Sequence, residues 1–117
     1  MILYHVSKNE NLKIHNNTPM WFTFTEDAAL EFGEDFKSDG FYLYKFLCKT
    51  DYTDRIVNPV VNNVDNSYVE LHKRNSIENY KDNYIGHYET EGGDTQLCLY
   101  YPKDYIQLIN KSNKKYG

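Results

Sequence analysis

His5, Trp21, Phe22, Phe32 and Gln96 are the residues whose types and spacing carry chemistry. An imidazole can donate and accept near neutral pH, aromatic rings present flat apolar faces, and a carboxamide on a strand both donates and accepts. The histidine lies in the short apolar run Ile2-Leu3-Tyr4-His5-Val6-Ser7. The aromatics lie in Met20-Trp21-Phe22-Thr23-Phe24-Thr25 and in the helical pattern that follows it to Gly33. Two short strands, the first carrying a histidine and the second delivering an aromatic residue into a helix, are one way to build a cleft for a nucleotide. Each residue also has a plainer reading: His5 as a half-buried histidine satisfied by a backbone carbonyl, and the aromatics as an ordinary strand and helix core.

The elements that must position these residues follow from local pattern. Met1 to Val6 reads as a short buried strand, with His5 near its end, and the polar stretch Ser7 to Thr18 as a loop. Pro19 opens a second strand, Met20 to Phe24, with Trp21 and Thr23 on one face and Met20, Phe22 and Phe24 on the other. Thr25 is the predicted N-cap of a helix to about Asp35, with Glu26 and Asp27 in its first turn and an apolar stripe of Ala28, Phe32 and Phe36 joined by Ala29.

Phe41 to Cys48 is the clearest strand and is expected to be central. Arg55 to Val57 suggests a brief strand, and a helix is expected from about Asn66 to Arg74 within the polar, Asn-rich segment Val60 to Asn83. Tyr84-Ile85 begins a strand ended by Gly86, and Glu89-Thr90-Glu91-Gly92-Gly93-Asp94 reads as a solvated acidic turn. Thr95 to Tyr101 is a core strand, Pro102-Lys103-Asp104 a turn, and Tyr105 to Ile109 a last strand, its hairpin partner. The order implies an α+β domain with mixed or antiparallel sheets and few helices.

Taken together, Leu3-Tyr4-His5-Val6-Ser7, Met20 to Gly33, and Gln96-Leu97-Cys98-Leu99-Tyr100-Tyr101-Pro102 resemble, in motif order, the ADP-ribosyltransferase-like superfamily. The resemblance implies a split sheet core that holds NAD between its halves. In that frame His5 bonds a ribose hydroxyl of the adenosine half and the backbone of Val6 grips the nicotinamide amide. Trp21 or Phe22, with Thr23 ending their strand, flanks the nicotinamide ring, and Phe32 closes the other side. Gln96 falls where relatives of the commonest branch carry a Glu whose charge stabilises an oxocarbenium-like transition state.

That departure, with Val6 where a Gly is frequent, leaves three outcomes open. Gln96 does the work weakly; Asp94, on the same strand face two residues earlier, or Glu91 or Glu89 replaces the charge; or the domain binds without catalysing. The resemblance thus implies an NAD-dependent ADP-ribosyltransferase, a glycosyl-transfer enzyme acting on a macromolecular acceptor, a protein first, or hydrolysing NAD. By analogy such a small transferase fits a phage or toxin-like effector. The alternative is an inactive binding or inhibitory protein of the same fold that acts through a protein interface.

Composition narrows the rest. The chain has 117 residues and a net charge of −4, which gives one domain over 1–117, with 110–117 expected as a basic tail, and disfavours a nucleic-acid surface. The 12 tyrosines suit half-buried strands or a partner surface and single out no site. Cys48 and Cys98 sit in apolar runs without metal-ligand spacing, which implies free buried thiols and a cytoplasmic location. Neither a leader pattern nor an apolar run of roughly 18 to 20 residues is present, so no membrane contact is expected. Gly92-Gly93 lacks the helix and Lys of a phosphate loop, and His15, His72 and His87 do not stand at metal-ligand spacing; His87 is expected at the surface.

Overall fold

A computed structural model describes residues 1–34, 40–49, 55–57, 83–91 and 94–114, with backbone alone at Thr90, Glu91 and Asp94. The expected helix at 66–74, Phe36 of the helical stripe, the side chains of Glu91 and Asp94, and residues 115–117 of the expected tail lie outside the described residues.

The described strands are β1 (Ile2–Ser7), β2 (Met20–Thr23), β3 (Phe41–Cys48), β4 (Ile56–Val57), β5 (Gly86–Glu91), β6 (Asp94–Leu99) and β7 (Ile106–Lys114). The helices are α1 (Glu26–Gly33) and the single turn α2 (Pro102–Tyr105). All strands join one seven-stranded sheet in the order β4-β5-β6-β2-β1-β3-β7. Only the β4–β5 pair is parallel among the described residues. The domain is therefore α+β with a mixed, mostly antiparallel sheet, and no described helix is long and apolar enough to cross a membrane.

Strand alternation separates two faces with different contents. Leu3, Phe22, Leu97, Leu99, Tyr44 and Phe46 share one face and are buried in the main apolar core, where Phe22 meets Phe46 edge-on at 5.7 Å between ring centroids. The other face carries polar groups at buried positions. The register Tyr4↔Thr23, Thr23↔Gln96 and Gln96↔Glu89 makes one row across four strands. Trp21↔Cys98 and Cys98↔His87 make the next row.

The β1–β2 junction is the sheet's weak seam. Tyr4↔Thr23 is its only registered pair among the described residues, whereas β1 and β3 pair continuously from Ile2↔Leu47 to Ser7↔Tyr42. Helix α1 follows β2 directly and rests on β1, β2 and β3. Thr25 caps it as expected, its hydroxyl accepting from the Ala28 N–H at 3.2 Å. The buried stripe is Ala28, Ala29 and Gly33 rather than one containing Phe32, because Gly33 lets the ring of Phe41 press against the helix; Phe32 is left 37% exposed.

Further expectations are corrected. Gly86 opens β5 instead of ending a strand, and His87 and Glu89 belong to that strand. Pro102 to Tyr105 forms a helical turn, which Pro favours at its first position. The last strand is not a hairpin partner of β6: α2 carries the chain across the domain, and β7 pairs with β3 at the far edge. β7 also runs to Lys114, so Asn110 to Lys114 are strand rather than tail. β3, expected to be central, is interior but stands next to the edge, between β1 and the edge strand β7, because the last strand adds on its outer side.

Candidate functional site

Where β1 and β2 diverge, the side chain of His5 replaces a missing ladder contact. Its Nδ1–H donates to the Trp21 carbonyl oxygen at 2.7 Å. The plainer reading of His5 is thus fulfilled at one ring nitrogen. The same bond fixes the tautomer, because a carbonyl only accepts, and so Nε2 keeps its lone pair. Burial lowers the His5 pKa below its ordinary 6.5, against the smaller raising effect of the Trp21 bond, which keeps the imidazole neutral near pH 7.

The opened seam encloses a cavity of about 220 Å³. Strand β1 lines it with Tyr4, His5 and Val6, and β2 with Trp21, Phe22 and Thr23. Helix α1 contributes Ala29 and Phe32, and β6 contributes Gln96. His5, Val6, Trp21, Phe22, Thr23, Phe32 and Gln96, all picked out from sequence, therefore meet at one cavity.

Their contributions differ. Phe22 is 1% exposed and belongs to the main core, while Phe32 is the exposed aromatic of the lining. Thr23 spends its hydroxyl proton on the Thr25 carbonyl at 3.1 Å, which closes the strand-to-helix turn and leaves the oxygen as an acceptor. Asp94 stands in β6 two residues before Gln96 with its backbone paired to Glu91, and its side chain lies outside the described residues. A second hollow of about 310 Å³ shares His5 and Trp21 and extends toward Leu12, His15 and Pro102. His5 and Trp21 line both hollows.

Sequence reasoning named Glu89 as a possible replacement for the charge absent at Gln96 but misjudged its burial and that of His87. Glu89 is 1% exposed and His87 fully buried, against the expectation of a solvated turn and a surface histidine. Glu89 lies directly across the strand pair from Gln96 on the same face. His87 Nε2 is 3.6 Å from the Glu89 carboxylate, its Nδ1 shares a 2.6 Å hydrogen bond with the Tyr100 hydroxyl, and its ring meets Trp21 edge-on at 5.4 Å. The signal was present: a two-residue Gly-Gly connection is a hairpin mark, and with Glu91 opposite Asp94 it puts Glu89 opposite Gln96.

Cys98, buried between Trp21 and His87, has its thiol pushed far up by burial and by the negative charge of Glu89, which leaves it inert as a nucleophile. Among the described residues no three His, Cys, Asp or Glu side chains converge as a metal site. No protein-family model matches this chain, and comparison with curated proteins and with solved structures likewise returns no match.

Proposed function

We propose that this protein is an ADP-ribosyltransferase-like domain that takes NAD as its substrate and transfers ADP-ribose to a macromolecular acceptor or to water. The observation that carries the reading is the meeting of His5, Val6, Trp21, Phe32 and Gln96 at one cavity between β1, β2, α1 and β6. The β1–β2 seam is where a split sheet of that family would open. A cavity of about 220 Å³ is smaller than the roughly 300–1,000 Å³ that encloses a drug-sized ligand. It suits one flat ring with part of a sugar, and the remaining dinucleotide would continue past His5 into the neighbouring hollow.

In this reading Trp21 and Phe32 hold the nicotinamide ring between aromatic faces, and the backbone of Val6 meets its carboxamide. The neutral His5 accepts a ribose hydroxyl proton at Nε2 in a hydrogen bond. In the reaction the bond from ribose C1′ to the ring nitrogen breaks and nicotinamide leaves with the electron pair. The acceptor's nucleophilic atom bonds to C1′ and gives up its proton. The Gln96 carboxamide oxygen faces the developing cation with a dipole instead of a charge. By the scale of one removed electrostatic stabiliser, that costs about 3 to 4 kcal/mol, so turnover is slow.

The test follows nicotinamide release from NAD at high protein concentration, over hours. Release by the native chain, lost in His5→Ala and in Phe32→Ala while both variants stay folded, supports the reading. The second reading, a binding or inhibitory protein of the same fold, is favoured by Gln96 itself; it expects NAD to raise the melting temperature with no nicotinamide released. Neither thermal protection nor release would remove NAD from the account.

A further inference from the structure

Trp21 lines both hollows, yet it is only half-buried, so the core does not by itself fix the plane of its ring. Two histidines hold it. The Nδ1–H of His5 donates to its carbonyl oxygen at 2.7 Å, and the imidazole of His87 meets its indole edge-on at 5.4 Å between ring centroids. His87 is itself fixed at both ends. Its Nδ1 shares a 2.6 Å hydrogen bond with the Tyr100 hydroxyl, and its Nε2 faces the Glu89 carboxylate at 3.6 Å, within ion-pair reach. A half-turn of the imidazole would break the Tyr100 bond. With His87 0% and Tyr100 2% exposed, no bulk water is at hand to replace it, and a buried polar bond of this kind keeps its geometry.

We propose that His87, anchored by Tyr100, is the positioning residue for the Trp21 indole, and that it sets the plane at which a flat ring is received in the cavity. The two rings stand at 86°, the edge-to-face arrangement that aromatic pairs prefer, and a turn of the indole gives it up. Tyr100, His87 and Trp21 thus make a chain of direct contacts of which Trp21 alone lines the cavity. A wall already set in place spares the ligand the cost of ordering it on binding. The ligand class is a flat aromatic ring, nicotinamide in the proposed reaction. The inference rests on the NAD reading for that ring, while its geometry needs only the cavity and the contacts from Tyr100 to Trp21.

Trp21 is the sole tryptophan of the chain, so its emission reports on this one ring. Time-resolved anisotropy of the whole protein at neutral pH should show the native indole turning only with the molecule. Tyr100→Phe keeps a ring at position 100 and removes the hydroxyl; it should add a nanosecond component from rotamer motion of Trp21. It should also weaken the binding of nicotinamide, followed by ligand-observed NMR, by about three- to tenfold, the fold-change that one aromatic contact is worth. His87→Asn leaves a partner for the Tyr100 hydroxyl but no ring against the indole. It should act in the same way, and it answers the question where Tyr100→Phe folds poorly. A role in stability alone would lower the melting temperature and leave the motion of the indole in the folded protein unchanged.

A nanosecond component already present in the native chain, an indole as rigid in the folded variants as in the native protein, or nicotinamide bound equally by both or not at all would overturn the inference. The NAD reading is judged separately by nicotinamide release. A rigid indole and Tyr100-dependent binding of nicotinamide, without release from NAD, sink the transferase and keep the positioning role; release unchanged in Tyr100→Phe, with the indole equally rigid, does the reverse.

Discussion

Gln96→Glu would place at the cavity the carboxylate that the proposed function calls for, and the structure predicts that by itself it destabilises the fold. The new carboxylate would arise opposite Glu89, on one face of the sheet, at positions 8% and 1% exposed. Two unit charges about 5 Å apart in a medium of dielectric about 20 repel by about 3 kcal/mol. That equals roughly two pKa units, so the pair titrates as one system and retains one proton near neutrality.

The sign follows from linkage: the raised carboxyl binds its proton more tightly in the folded than in the unfolded chain. The variant is therefore relieved below the unfolded Glu value of about 4.3, and loses stability as pH rises through the folded value. Relative to the native chain, Gln96→Glu should lose about 3 kcal/mol at about pH 8 and about 1 kcal/mol at about pH 5. At the higher pH this is roughly 10 °C in melting temperature. Urea unfolding at the two pH values, on the native chain, Gln96→Glu and the Glu89→Gln/Gln96→Glu exchange, measures it. The exchange should recover most of the loss. A Gln96→Glu protein as stable as the native chain at about pH 8, or an exchange no better than the single variant, would refute the reasoning.

Other perturbations have equally definite outcomes. Because burial lowers the His5 pKa below 6.5, the unfolded chain takes up this proton first; the contribution of His5 is complete above pH 6.5 and is lost as pH falls toward the lowered value. A melting curve series from about pH 7.5 to about pH 5.5 should decline, and less steeply in His5→Gln. Gly33→Ala should lose about 1 to 3 kcal/mol despite the better helix former, since a Cβ there would sit 2.2 Å from Phe41 Cζ; urea unfolding reads the change. Tyr44→Phe removes the hydroxyl that bonds the carbonyls of Asn9 and Glu10 and accepts from the Leu12 N–H at 3.3 Å. It should cost about 1 to 3 kcal/mol and speed hydrogen exchange at the Leu12 amide.

Much of the cavity was legible because its residues sit in strong local patterns. The apolar run at Ile2 to Val6, the alternation across Met20 to Thr23 and the Thr25 cap each act within a few residues. They set which side chains emerge together from β1, β2 and α1. β3 was legible for the same reason. The stripe on α1 was misread because burial there depends on a partner: Phe41 of β3 presses on Gly33, and Phe32 turns out toward the cavity.

The sequence by itself determined an α+β chain whose early strands and first helix gather His5, Val6, Trp21, Phe22, Thr23 and Phe32. Periodicity and capping are local, and they suffice for that. Only the tertiary structure decided that β7 pairs with β3 rather than β6, that β1 and β2 part after Tyr4↔Thr23 to open a cavity, and that Glu89 and His87 lie buried behind Gln96 and Trp21. Strand partners are chosen by contacts between residues far apart in the chain, and a charged residue's burial is set by what covers its face, which no window of neighbouring residues contains.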